Sequence, residues 1–434
     1  MSLPRPNGPL RILALLLFVL AIGFLVENGL AKALVRANTY DFACMYRAGR
    51  GLSQGVNLYS DEEMARVAPD APPSEGVRFV YPPLSAWMFS LLAWMPYPIA
   101  TRLWTLINLA CLVYVAWALA PHFLRGLSGD TRLVWAGAGA LLLASYHSVA
   151  DALQVGEPEF ICAALMILGF NYAGDRRDWK AAAVLTLGTF FKPTVAVVPL
   201  FLLLKRRWGF VARWAVLMVI VLGLSIAAFG LELHLNLLRY FQDHNLIPIH
   251  WVAFQDAVAF WGRLLVWEHA PFPQYSHLAG PLTLATQILL ALPLLLLLLR
   301  PWEADDSRRM LAELSLLIVV AVIAPNLTGV HVHFLMVFGL VAAAAWLRED
   351  WRTPQQFWAL AVTWAVAYCL IALPFDYRAP ELRHGLLVLA ISTKFYGAVV
   401  LWGLLTYLLV RPAPCEVSDA AGQAEGREPG ISRP

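Results

Sequence analysis

Asp41 begins a polar stretch in a chain that is otherwise mostly apolar, and its carboxylate is of the type that accepts a hydroxyl proton. Tyr40, Tyr46, Arg47 and Arg50 lie within ten residues of it. In a helix starting after Asp41, Tyr46 and Arg50 are four apart and share a face. Guanidinium groups in such a setting hold a phosphate bidentately. The stretch continues through Gln54, Gly55 and Tyr59 and closes at Tyr81-Pro82-Pro83. A carboxylate at a membrane face, inside a multi-helix protein, points to chemistry on a lipid-linked substrate. The alternative is a solvated loop carboxylate or a helix N-cap.

Four further groups could join it. Lys192, followed by Pro193 in the middle of an apolar run, could neutralise a phosphate entering from the lipid leaflet; the alternative is a lysine snorkelling to the headgroups. Gln154, Gly156, Glu157 and Glu159 stand together at the start of a helix, where one carboxylate complements the helix dipole and the others need another explanation. His331 and His333 are two residues apart and do not share a helix face, so they do not make a two-histidine metal site. One of them holding a sugar hydroxyl or a phosphate is the sharper expectation. Gln255, Asp256 and Arg263 lie in a long aromatic-rich loop whose rings either stack on sugars or anchor at the interface.

The elements that must position these residues are membrane helices. Of 434 residues 60% are hydrophobic and 14% charged, and the mean hydropathy is +0.63. A soluble domain has about 25% charged residues. The small net charge of +3 sits in short loops and reports topology, so nucleic acid is not an expected partner. Five scattered cysteines give neither a disulfide framework nor a zinc site. The run 10–30 is longer than a signal-peptide core of about 7–15 residues and reads as an uncleaved first helix. Further spans are expected near 102–120, 133–150, 159–174, 210–230, 282–299, 311–325, 331–347, 357–374 and 386–410. The segment 181–204 has basic flanks on both sides, which predicts a re-entrant hairpin with Lys192-Pro193 at its tip; the alternative is one kinked helix. Residues 84–95 are too short to span.

The expected fold is therefore all-α and polytopic, with about 10–13 membrane helices counting short re-entrant segments, plus short extracytoplasmic helices. Residues 1–411 form one membrane domain, with a first extracytoplasmic loop at 37–82 and a long one at 231–281. The tail 412–434 is expected to be disordered and cytoplasmic. Both termini fall on the cytoplasmic side, and the polar and aromatic groups converge on the opposite face.

At these residues the chain resembles glycosyltransferase family 87. Tyr40-Asp41-Phe42 with Tyr46, Ala48 and Arg50, then Gly55 and Tyr59, is similar to the family's first extracytoplasmic loop. Phe79-Val80-Tyr81-Pro82-Pro83-Leu84 is similar to its Tyr-Pro-Pro segment, and Lys192-Pro193, Gln255 with Arg263, and Pro325 followed by His331 or His333 come in the family's order. The likeness covers roughly 38–345. It implies a GT-C-like fold, a polyprenyl-phosphate-sugar donor, inverting transfer of mannose or a related pentose, and Asp41 as catalytic base. One departure stands out: Gly156-Glu157-Pro158-Glu159 replaces a Gly-Gln-x-Asn pattern, exchanging amides for carboxylates, which alters the acceptor sugar or admits a cation.

The expected function is transfer of a hexose, mannose in the first place, from a polyprenyl-phosphate-sugar to a lipid-linked or glycan acceptor in an inner or cytoplasmic membrane. Asp41 is the expected base. Tyr46, Arg47, Arg50, Tyr81, Gln154, Glu157, Lys192, Gln255, Arg263, His331 and His333 are the expected substrate or phosphate contacts. No cofactor and no required metal are expected. The rivals are a transporter or flippase of a lipid-linked sugar, and pentosyl transfer of an arabinofuranosyl type.

Overall fold

The computed structural model describes residues 8–36, 40–72, 78–243, 252–299, 302, 306–325, 328–349, 353–374 and 379–411. The tail 412–434 lies outside the described residues. The fold is all-α. The helices used below are α1 (Gly8–Leu25), α2 (Tyr40–Gln54), α3 (Pro83–Ala93), α4 (Tyr97–Leu124), α5 (Gly129–Ala144), α6 (His147–Val155), α7 (Glu159–Gly174), α8 (Asp178–Phe191), α9 (Val197–Leu204), α10 (Trp208–Phe229), α11 (Ala257–Leu265), α12 (Ala279–Ala291), α13 (Ser307–Ile323), α14 (Val337–Glu349), α15 (Pro354–Ala372) and α16 (Thr393–Val410).

Among the described residues seven helices are long and apolar enough to cross a membrane, or eight if the bent pair α5 and α6 is one span. The chain is a multi-pass membrane protein. The expected span 133–150 is broken: α5 and α6 meet at 53°, because Tyr146 is extended and Ser145 turns its hydroxyl back onto the Leu141 carbonyl. The segments α7 and α13, of 16 and 17 residues, fall just short of a crossing of about 30 Å at about 1.5 Å per residue.

The segment 178–207 reverses on itself. α8 ends at Phe191, Lys192 is extended (φ −149°, ψ 124°), and a 3-10 turn Pro193–Ala196 leads into α9. Arg207, after α9, pairs at 2.8 Å with Asp178 at the start of α8, so both ends of the segment lie at one level. Val195 folds back so closely that a Cβ on Gly188 would meet its Cγ1 at 2.7 Å. A continuous helix would separate those two residues by about 10 Å.

Several basic loops meet at one end of the molecule. Arg11 pairs with Asp130 at 2.7 Å, Arg348 donates to the Phe123 carbonyl at 2.8 Å, Arg308 lies over the Trp346 ring, and buried Lys205 pairs with Glu313, which Arg309 also approaches. From Leu124 at that end, α4 runs twenty residues, or about 30 Å, back to Trp104. Trp104 donates its indole N–H to the Gly156 carbonyl at 2.7 Å. The loop that carries Glu157 thus sits about one hydrocarbon thickness, roughly 30 Å, from the basic end.

Aromatic contacts fix the layer between. Phe42 stacks on Trp104 at 5.4 Å, Trp104 meets Phe89 at 5.1 Å, and Phe89 stacks on Phe191 at 5.5 Å. Such pairs add about 0.5–1.5 kcal/mol each beyond area burial. They lock α2, α3, α4 and the hairpin tip together, one residue before Lys192.

Candidate active site

The hairpin tip delivers Lys192 into a group of carboxylates. Its Nζ donates to Glu157 Oε2 at 2.9 Å and also to Glu159 Oε1. Extended backbone at Lys192 would leave the last carbonyls of α8 open; Ser85, two residues into α3, donates its hydroxyl to the Phe190 carbonyl. The Tyr81 ring lies 6.0 Å from the ammonium, in the range of a cation–π contact, and its carbonyl is held by the Tyr59 hydroxyl at 2.7 Å.

Glu157 follows the end of α6, where Gly156 takes a left-handed conformation (φ +78°) that closes the helix. This turn, the Trp104 bond and the restart of the chain at α7 put Glu157 and Glu159 side by side on Lys192. Burial alone would raise the Glu157 carboxyl, but Lys192 and then His331 outweigh it, and the group is held below the usual carboxylate range.

His331 comes from the 3-10 stretch Val330–Met336 that precedes α14. Its Nε2 lies 3.8 Å from Glu157 Oε1, and its Nδ1 3.7 Å from Asp151 Oδ2 on α6. Asp41, in the first turn of α2, feels the charges of Glu157, His331, Lys192 and Asp151. The assembled group is Asp41, Asp151, Glu157, Glu159, Lys192 and His331, flanked by Tyr81. An acid–base assembly of this kind, with Glu157, Glu159 and Lys192 buried and the others half-buried, can move a proton at one side and hold an anion at another.

Other sequence-predicted residues lie elsewhere. Arg50 pairs with Asp70 at 2.9 Å and bonds the Tyr46 hydroxyl. Tyr46 itself donates to the Met95 carbonyl, and Arg47 donates to the carbonyls of Ala71 and Pro72. These three side chains fasten the loop after α2 to the start of α4. Gln154 donates to the Asn28 carbonyl and ties α6 to the end of the first span.

Gln255 and Arg263 are completely buried. Gln255 donates to the carbonyls of Val252 and Ile391, and Arg263 to Ser392 Oγ and to the Phe254 carbonyl. Asp256 caps α11 and accepts from Thr328 N–H at 3.0 Å. Together they anchor the stretch that leads to His331. His333 is fully buried, with its carbonyl held by Tyr146 at 2.8 Å and its Nδ1 beside the Gly329 carbonyl. The histidine of the group is His331.

Sequence reasoning passed over Asp151. The signal was available: Asp151 is a lone carboxylate on an apolar helix, five residues after Tyr146 and close before the Glu157 cluster. Lys394 was also missed; it is completely buried at the start of α16 and donates to the Ile371 carbonyl.

Tyr146 also closes one end of an apolar cavity of about 360 Å³, which runs between α5, α14 and α15 past Trp135, Val341, Trp364 and Tyr368 to Arg348.

A sequence model described as Glycosyltransferase family 87 matches residues 79–325. That stretch holds Tyr81, Glu157, Glu159 and Lys192, starts after Asp41 and ends before His331. The chain is 27% identical over 238 residues to a polyprenol-phosphate-mannose-dependent alpha-(1-2)-phosphatidylinositol pentamannoside mannosyltransferase of Mycolicibacterium smegmatis. The match covers 54% of this chain and 52% of that protein, so the chain spans about half the length of the curated relative. No solved structure matches.

Proposed function

The chain belongs to glycosyltransferase family 87, and from that membership we propose that this membrane enzyme transfers a hexose, mannose first, from a polyprenyl-phosphate-sugar to a lipid-linked or glycan acceptor. The observation that carries the reading is the contact of Lys192 and His331 with Glu157, a group whose charges reach Asp41 at the start of α2. The relative's dependence on polyprenol-phosphate-mannose supports the donor class.

In the proposed reaction Asp41 takes the proton of an acceptor hydroxyl. The resulting oxygen attacks the anomeric carbon, the bond from that carbon to the phosphate oxygen breaks, and the polyprenyl phosphate leaves with the electron pair. One displacement inverts the anomeric centre. Lys192 is the cation that can face the leaving phosphate, and His331 helps to position it. Because Lys192 is held by two carboxylates, the arriving phosphate has to draw it away from them or share it. The apolar and aromatic wall of the cavity beside Tyr146 suits a prenyl chain, which supports a lipid-borne donor.

Charge supports the sidedness. The end that carries Arg11, Arg125, Arg207, Arg308 and Arg348 reads as cytoplasmic by the positive-inside rule. The Glu157 layer, about 30 Å away, then faces the extracytoplasmic side. The test is donor choice: purified protein in nanodiscs receives radiolabelled polyprenyl-phosphate-mannose or a nucleotide-linked mannose, with membrane glycolipid as acceptor. Product from the lipid donor alone is expected. Product from the nucleotide sugar alone overturns the reading.

A further inference from the structure

Three carboxylates, Asp151, Glu157 and Glu159, meet two basic side chains in the charged group, Lys192 and His331. Lys192 takes up Glu157 Oε2 and Glu159 Oε1. Two oxygens are left over. Glu157 Oε1 faces His331 Nε2 at 3.8 Å, and Glu159 Oε2 is buried with no hydrogen-bond partner, on a side chain that is 0% exposed. A buried carboxylate oxygen without a donor is costly, and a cation is the ligand that removes the cost.

Glu157, Glu159 and His331 each offer one ligand atom, and these atoms lie within 4.8 Å of one another. Ligands on one cation at about 2.0–2.2 Å stand between roughly 3 Å (cis) and 4.4 Å (trans) apart, so the three side chains have to draw together to close on it. Asp151, on the far side of the imidazole, is placed to accept from Nδ1–H and leave Nε2 free as a donor atom, the usual outer partner of a ligating histidine.

We propose that Glu157, Glu159 and His331 form a binding site for one divalent cation of the Mn²⁺ type. Two carboxylates suit Mg²⁺, Ca²⁺ and Mn²⁺, whereas an imidazole favours first-row transition ions, and Mn²⁺ satisfies both. Three protein ligands leave coordination positions open, and a phosphate oxygen of the donor fills one; this last step rests on the reading given above. Once the cation neutralises the two glutamates, the Lys192 ammonium is released toward the same phosphate.

The test uses the full chain in nanodiscs, stripped with EDTA and desalted, then titrated with Mn²⁺ and followed by electron paramagnetic resonance. One site per chain is expected, with nitrogen-14 modulation of the bound signal. His331→Gln should remove that modulation. Glu159→Gln should weaken binding by at least about 100-fold, since even outer-shell partners are worth about 10–100-fold. Asp151→Asn should weaken it by about 10–100-fold. Size exclusion checks that each variant is monodisperse, and if Glu159→Gln does not fold, the nitrogen modulation of the wild type decides alone. No stoichiometric Mn²⁺, or bound Mn²⁺ without nitrogen modulation, overturns the site. Sugar transfer is scored separately: a chain that transfers mannose after stripping, and binds no Mn²⁺, loses the cation site and keeps the transferase reading. A chain that binds Mn²⁺ with nitrogen modulation and transfers nothing keeps the site and loses that reading.

Discussion

Lys192 Nζ stands 2.9 Å from Glu157 Oε2, with only 10% and 8% of the two side chains exposed. A buried pair broken on one side leaves an uncompensated charge, at a cost of about 3–5 kcal/mol. Lys192→Met is therefore expected to lower stability by that order, read as the thermal midpoint in nanodiscs, and to abolish transfer. Adding Glu157→Gln and Glu159→Gln should restore most of the midpoint without restoring transfer. A Lys192→Met protein as stable as wild type would show that the glutamates are not charged against it.

The same pair makes stability depend on acid. Glu157 is held below the usual carboxylate range in the folded chain. A depressed group contributes stability that is present above its unfolded value, about pH 4.3, and is lost as pH falls through the folded value. The unfolding midpoint should drop as pH falls below about 4.3, and Glu157→Gln should flatten that drop. An unchanged acid limb in Glu157→Gln would remove Glu157 as its source.

Gly188 and Val195 test the reversal at the hairpin tip. A Cβ at Gly188 would lie 2.7 Å from Val195 Cγ1. Gly188→Ala should cost about 1–3 kcal/mol through overpacking. Val195→Ala in the same chain should recover part of it. In a straight helix the two changes would simply add.

Arg263 separates anchoring from ligand contact. It is fully buried and spends its fork on Ser392 and the Phe254 carbonyl. Lysine lacks that planar fork. Arg263→Lys should lower stability by about 1.5–3 kcal/mol, the range for a hydrogen bond to a charged group, and leave the donor KM unchanged. A raised KM at unchanged stability would make Arg263 a donor contact instead.

Much of this organisation was legible in the chain. Apolar runs announced the membrane helices, and basic residues on both flanks of Lys192-Pro193 announced the reversal that the Asp178–Arg207 pair closes. Lys192, Glu157 and His331 each stood out as polar groups inside apolar surroundings, and the fold brings them together. Arg47 and Arg50 read as phosphate ligands because nothing local exposes their partners. Asp70 is twenty residues beyond Arg50, and the carbonyls of Ala71 and Pro72 carry no sequence signal at all. The partners of Gln255 and Arg263 at Ile391 and Ser392 lie over a hundred residues away and are equally hidden in the sequence. The break between α5 and α6 was hidden because Ser145-Tyr146 interrupts hydropathy only weakly.

The central claim is that Asp41 is the base of a sugar transfer. The most direct measurement is single-turnover transfer from radiolabelled polyprenyl-phosphate-mannose by wild type and Asp41→Asn, at matched amounts of monodisperse protein. General-base catalysis contributes about 10²–10⁴-fold, so the variant should be slower by at least about 100-fold, with donor binding retained. Transfer by Asp41→Asn at more than about a tenth of the wild-type rate would contradict the account.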